Sequence, residues 1–188
     1  IKPLEIYKEN TRPKVLQVVK NNSQADIMQV YKFKTDNTLR ESVLGELTNS
    51  ILTSSSIGLF DNLREKDHLA YSVYSTIEKT GNSGEISCNI LTTTDNKDIG
   101  EISYDNVKKS IDGFNRQIAK LKAGEFTDKD LENAKLAMKA NLLNTEGSSK
   151  KLDTINLGLN SKYGITYANK LYNCLLYTSP SPRDLSTS

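Results

Sequence analysis

Gly58-Leu59-Phe60-Asp61-Asn62-Leu63-Arg64-Glu65-Lys66-Asp67-His68-Leu69-Ala70-Tyr71-Ser72-Val73-Tyr74-Ser75 is the stretch on which the fold turns. Its first half reads as a short helix around Leu59 to Lys66, followed by turn residues at Asp67-His68. Its second half opens a strand that runs from Leu69 to Lys79. Arg64 then lies late on a helix and Tyr71 on the strand that follows. A tight connection between those elements can aim a guanidinium and a phenol at one cleft.

Outward from this stretch, the periodicity is that of strands first and long helices after. Downstream, Glu85 to Thr93 is a second strand, joined to the first through the hairpin loop Thr80-Gly81-Asn82-Ser83-Gly84. Upstream, Leu39, Val43, Leu44, Leu47 and Ile51 mark one face of a helix over Asp36 to Leu52, with Asp36 as its cap. Ala25 to Phe33 alternates as a half-buried strand, and Lys14 to Lys20 is a further strand after Pro13. Tyr104, Val107, Ile111, Phe114, Ile118 and Leu121 form an amphipathic stripe that Gly124 ends. Thr127 and Asp130 form a capping pair for a helix through Leu131, Ala134, Met138 and Leu142. Further helices are expected over Lys150 to Gly158 and Thr166 to Leu171. This order points to an α+β class: a two-layer sandwich with one mostly antiparallel sheet and helices packed on one face.

Composition bounds the function. The 188 residues carry 36% apolar and 26% charged side chains and a net charge of +2, ordinary for one globular domain. That charge implies no strong attraction to nucleic acid or an anionic membrane, and no apolar run approaches the ~20 residues that span a bilayer. The first residue is Ile1, and residues 1–12 read as a connector, so a fragment of a longer chain is expected. Cys88 and Cys174 could pair, but nothing else suggests a stapled secreted scaffold; free thiols in a cytoplasmic setting are the expectation.

The end of the chain is of a different kind. Cys174-Leu175-Leu176-Tyr177-Thr178-Ser179-Pro180-Ser181-Pro182-Arg183-Asp184 resembles one reading frame of a transposase-type sequencing adaptor. Residues 174–188 are therefore read as an adaptor-derived tail, leaving 13–173 as the domain.

Hydrolytic zinc needs three protein ligands and an open position, commonly from His-x-x-Glu-His or His-Glu-x-x-His. With one histidine, His68, neither motif exists here, so no metal ligand and no catalytic residue is assigned. His68 reads as a solvated turn residue and Cys88 as a small core residue. Lys120, Lys122, Lys135 and Lys139 read as solvent-facing. There is no phosphate-cradling Gly-rich loop and no Gly-x-Ser-x-Gly.

The opening stretch resembles the Leu-Phe-x-x-Leu-Arg-Glu-Lys-x-x-Leu-Ala-Tyr-Ser-Val signature of the pitrilysin/insulinase-type zinc metallopeptidases (inverzincins), in their C-terminal, non-catalytic domain. Gln24 on the preceding strand and Gly124-Glu125-Phe126-Thr127, then Asp130-Leu131-Glu132 and Ala134-Lys135, follow the family's order. Two departures concern loops: Ser54-Ser55-Ser56-Ile57-Gly58 replaces a Gly-rich segment, and His68 stands where the family carries glycine.

The resemblance implies a clamshell of two homologous domains, with zinc in the partner domain and none bound by this one. It implies that Arg64 and Tyr71, seven residues apart, are substrate-binding residues facing a peptide. This domain would then belong to a peptide-bond hydrolase without being catalytic by itself. The alternative is a non-proteolytic scaffold or partner subunit of the same fold, which the upstream coding sequence would distinguish by lacking His-x-x-Glu-His. A generic α+β binding module is the third reading; Arg64 could also simply pair with a surface carboxylate, and Tyr71 could be one more strand aromatic.

Overall fold

A computed structural model describes residues 12–18, 20, 22–35, 38–80, 83–96, 101–143, 152 and 166–177. The order is β1 (Gln24–Lys34), α1 (Leu39–Ser54), a π-helix (Phe60–Lys66), β2 (Ala70–Thr80), β3 (Ser83–Thr93), β4 (Asp95–Asn96), β5 (Glu101–Ile102), α2 (Asp105–Ala123), α3 (Asp128–Leu143) and α4 (Tyr167–Tyr177). β3 is the middle strand of an antiparallel sheet ordered β1-β3-β2, and β4 pairs with β5. Helices lie against one face of the larger sheet, so the chain is an α+β sandwich.

On β1 the sheet's two faces follow from strict alternation. Ile27, Tyr31 and Phe33 are half-buried, while Met28, Val30 and Lys32 between them are exposed. The register sets Ile27 opposite Ile90, and Val73 opposite Ile90 from the other side. With Cys88, Leu52, Leu59, Leu63, Leu69 and Phe114 these residues make one core, between the sheet and the helices α1, α2 and the π-helix. A second core lies among the helices, where Val43, Leu44, Leu47 and Ile51 of α1 meet Leu121, Leu131, Ala134, Met138, Leu171 and Leu175. α1 is thus buried on two sides. Each fully buried aliphatic side chain contributes about 1.5–3 kcal/mol.

Local chemistry starts and stops these helices. Thr38 caps α1: the Glu41 N–H donates to Thr38 Oγ1 at 3.2 Å, and the Thr38 N–H donates back to Glu41 Oε2 at 3.1 Å. Thr38 therefore takes the role expected of Asp36, which lies outside the described residues. α2 ends at Gly124, whose φ of 70° only glycine adopts freely, with the Glu125 N–H donating to Lys120 O. Thr127 and Asp130 form the capping pair of α3 as expected, the Asp130 N–H donating to Thr127 Oγ1 at 3.1 Å.

Several sequence expectations are corrected. Lys14 to Lys20 is not a strand: described residues 12–18 and 20 have no regular structure, and Val15, Leu16 and Val18 are 90%, 92% and 72% exposed. A strand needs a ladder partner, and none lies beside this segment among the described residues. The nearby Asn22 and Ser23 carbonyls instead accept from Thr94 Oγ1 and the Thr94 N–H. The buried face of α2 is rotated, with Ser110, Gly113, Phe114, Gln117 and Leu121 inside and Tyr104 and Ile111 exposed. Gly113 lies on this inner face, where a Cβ would stand 3.0 Å from Leu63 Cγ, so the helix packs closely over that side chain. Lys135 is buried, its ammonium donating to Glu132 Oε1 at 2.7 Å.

The pairing of Thr80 with Ser83 leaves only residues 81–82, outside the described set, to join β2 and β3. The expected helix over 150–158 lies outside the described residues except for Leu152, and residues 1–11 and 178–188 lie outside them altogether. α4 runs longer than expected, through Cys174, with Leu175 buried in the helical core.

Candidate functional site

The connection from Leu59 to Ala70 carries the candidate site, and its backbone is unusual. The helix is of the wide π type: the Asp67 N–H donates to Asn62 O at 3.0 Å, five residues back, and the Leu69 N–H reaches Leu63 O at 2.9 Å. Such turns are rare and recur at functional sites. Asn62, buried, fixes the entry: its Nδ2 donates to Gly58 O at 2.7 Å and Ser56 O at 3.1 Å. Leu59 and Leu63 anchor the helix in the core. Arg116 of α2 pairs with Asp67 at the exit. His68 is exposed and has a φ of 51°, in the left-handed region where β-branched residues do not fit. Glycine would adopt that conformation freely.

Arg64 projects from this helix half-exposed. Its Cζ lies 4.8 Å from the Phe60 ring centroid, and its Nε lies 3.5 Å from Glu65 Oε1. Tyr71 is the extra residue of a β-bulge: Ala70 opposes Thr92 and Ser72 opposes Leu91, with nothing opposite Tyr71. On β3 the residues facing the helices are those paired with Ala70 and Val73. Those two inward positions are three apart rather than two, so Tyr71 is expelled toward solvent, 81% exposed. Bulges re-aim side chains in this way and are common beside active sites. Neither Arg64 nor Tyr71 is in the interior. Among the described residues no hydrogen bond or ion pair joins them, and the Tyr71 phenol has no hydrogen-bond partner.

Other titratable groups are placed for structure. Cys88 is fully buried, and burial pushes its thiol up to about 12; Cys174 is also a free thiol. Burial, with Cys88 adding to it, raises the Tyr31 phenol to about 12. A cavity of about 440 Å³ opens between α1, β2, α3 and α4, lined by Glu46, Asn49, Lys79, Met138 and Tyr167 among others, but not by Arg64 or Tyr71. Among the described residues no group of three or more His, Cys, Asp and Glu could hold a metal, and no helix is long and apolar enough to cross a membrane.

The sequence did not disclose the bulge, the π-helix or the contact between Phe60 and Arg64. The four-residue spacing of Phe60 and Arg64 was the available signal, since such pairs meet on a helix.

Comparison with known proteins agrees with this architecture. The family model described as the peptidase M16 inactive domain matches residues 1–138. A comparison with curated proteins finds no match. Among solved structures, the periplasmic protease PqqL from Escherichia coli is 14% identical with a TM-score of 0.64, over 89% of this chain and 18% of that one. The peptidase M16 inactive domain from Pseudomonas fluorescens is 21% identical with a TM-score of 0.61, over 88% of this chain and 36% of that one. An inactive peptidase domain from Bordetella parapertussis is 11% identical with a TM-score of 0.62, over 91% and 87%. At these identities the likeness is one of fold. This chain spans about a fifth of PqqL and about a third of the Pseudomonas protein.

Proposed function

Because the chain belongs to the family of the peptidase M16 inactive domain, we propose that it is the substrate-holding, non-zinc-binding half of a zinc metallopeptidase. In this reading it closes over a peptide together with a homologous, zinc-bearing domain, in the same chain or a partner subunit. The metal held there supplies the activated water. What this chain supplies is donors. The Tyr71 hydroxyl donates to the scissile carbonyl and to the oxyanion that develops from it, and Arg64 holds peptide oxygens nearby.

The observation that carries this reading is the bulge. It turns a large aromatic outward, 81% exposed and without a hydrogen bond among the described residues, directly after the helix that presents Arg64. Tyr31 of β1, by contrast, packs against the core. Buried free Cys88 suits a cytoplasmic enzyme, although a solved relative is described as periplasmic.

The test is kinetic, on the full-length parent carrying both domains. Tyr71→Phe should lower kcat about a hundredfold or more, the effect of losing one oxyanion donor. Arg64→Ala should raise KM, and both variants should keep the parent's unfolding midpoint. Normal cleavage by both would refute the reading. If neither the parent's coding sequence nor a partner subunit carries His-x-x-Glu-His, the chain would instead belong to a non-proteolytic scaffold.

A further inference from the structure

Phe60 and Arg64 lie four positions apart on the π-helix, with the guanidinium carbon 4.8 Å from the ring centroid. At that distance the ring's quadrupole attracts the cation. Phe60 does not serve the core, which Leu59 and Leu63 fill at full burial; its ring stays 36% exposed. The contact with Glu65 engages Nε, the inner edge of the guanidinium. Among the described residues the two terminal nitrogens, Nη1 and Nη2, have no hydrogen-bond or ion-pair partner. With the ring beside it and Glu65 Oε1 3.5 Å from Nε, the guanidinium keeps its terminal edge, two parallel N–H donors, for an incoming group. That edge matches the two oxygens of a carboxylate better than a single carbonyl.

We propose that Phe60 is a positioning residue for Arg64, and that the two make a stacked fork for a carboxylate on the bound peptide. The carboxylate belongs either to the peptide's C-terminus or to an acidic side chain. This deepens the substrate-holding reading and rests on it. An unsupported arginine would lose more side-chain entropy on binding, since the stem carries several free rotors. Stacking reduces that loss before the peptide arrives.

The experiment uses the full-length parent and four variants: Phe60→Leu, Phe60→Tyr, Arg64→Ala and the double variant Phe60→Leu/Arg64→Ala. For an acidic peptide, Phe60→Leu should raise KM about two- to fivefold with kcat unchanged, the fold-change expected of one exposed cation–π contact. Phe60→Tyr, which keeps the aromatic face, should restore the parent's KM. In the Arg64→Ala background, Phe60→Leu should add no further loss. Amidating the peptide's C-terminus removes the effect if the terminus is the ligand, and Glu→Gln substitution in the peptide removes it if a side chain is. Parental KM in Phe60→Leu beside a defective Arg64→Ala overturns the positioning role and leaves the substrate-holding reading intact. An equal loss from Phe60→Leu with and without Arg64 also overturns it. Unchanged cleavage by Arg64→Ala and Tyr71→Phe sinks both.

Discussion

Removing the Asp130 carboxylate should loosen the loop that precedes the π-helix, and the structure sets both the size and the pH window. Asp130 Oδ1 accepts from the Ser56 N–H at 3.0 Å. Its Oδ2 accepts from Ser56 Oγ at 2.6 Å, the Thr127 N–H at 2.9 Å and Thr127 Oγ1 at 2.8 Å. One side chain thus completes the cap of α3 and ties it to the loop entering the candidate site. Cap loss costs about 1 kcal/mol, and hydrogen bonds to a charged acceptor add about as much again at an exposed site. Asp130→Ala should therefore destabilise the chain by about 1–2 kcal/mol near pH 7, read as a lower urea midpoint at constant m. Burial pushes this carboxyl up, but the bonds from Ser56 and Thr127 outweigh it and bring it down to about 2. A carboxylate depressed on folding stabilises above its unfolded value of about 3.9 and loses that contribution as pH falls toward its folded value. The gap between parent and variant should be constant from pH 7 to about pH 4 and shrink between about pH 4 and pH 2. A gap under about 0.3 kcal/mol at pH 7, or one that persists at pH 2, would refute the clamp.

Four shorter predictions concern the backbone at His68, the packing at Gly113, the Cys88 thiol and the end of the chain. His68→Gly should be neutral or stabilising by up to about 1 kcal/mol, relief of the left-handed backbone exceeding glycine's entropy, whereas His68→Val should destabilise by about 1 kcal/mol or more; thermal unfolding of both decides, and equal midpoints count against it. Gly113→Ala should destabilise by about 1–3 kcal/mol despite alanine's better helix propensity, because its Cβ would stand 3.0 Å from Leu63; a more stable variant contradicts the packing. The Cys88 thiol, buried and raised to about 12, should resist a thiol reagent at pH 8 until the chain unfolds; labelling within seconds in the native state contradicts it. The proposed adaptor origin of residues 174–188 requires that the gene, recovered by a different library chemistry, diverge after Asn173; an unchanged reading would make the tail native.

The layers were legible because they rest on periodicity. Alternation marked β1, and three-to-four spacing marked the buried faces of α1 and α3. What failed depended on partners distant in sequence. Lys14 to Lys20 has strand chemistry but no neighbouring ladder. On α2, Ser110, Gly113 and Gln117 lie inside, residues that a hydrophobicity count passes over. Lys135 has a polar label yet lies under its own helix turn with Glu132. At the site, the residue types and spacing of Arg64 and Tyr71 could be read, but not their presentation. Bulges and π-turns are one-residue adjustments of hydrogen-bond register, set by how Asn62, Leu63 and Ala70 seat against the sheet, and they leave no periodic trace.

The central claim is that the outward turn at Tyr71 faces a bound peptide. Its most direct measurement replaces Tyr71 with p-benzoylphenylalanine in the full-length parent, irradiates it with a labelled peptide, and maps the adduct. Tyr104, 47% exposed at the start of α2, serves as the control position. The account predicts a peptide adduct at position 71 that unlabelled peptide competes away, and none at 104. Equal labelling at the two positions, or none at 71 while the variant still binds the peptide, would contradict it.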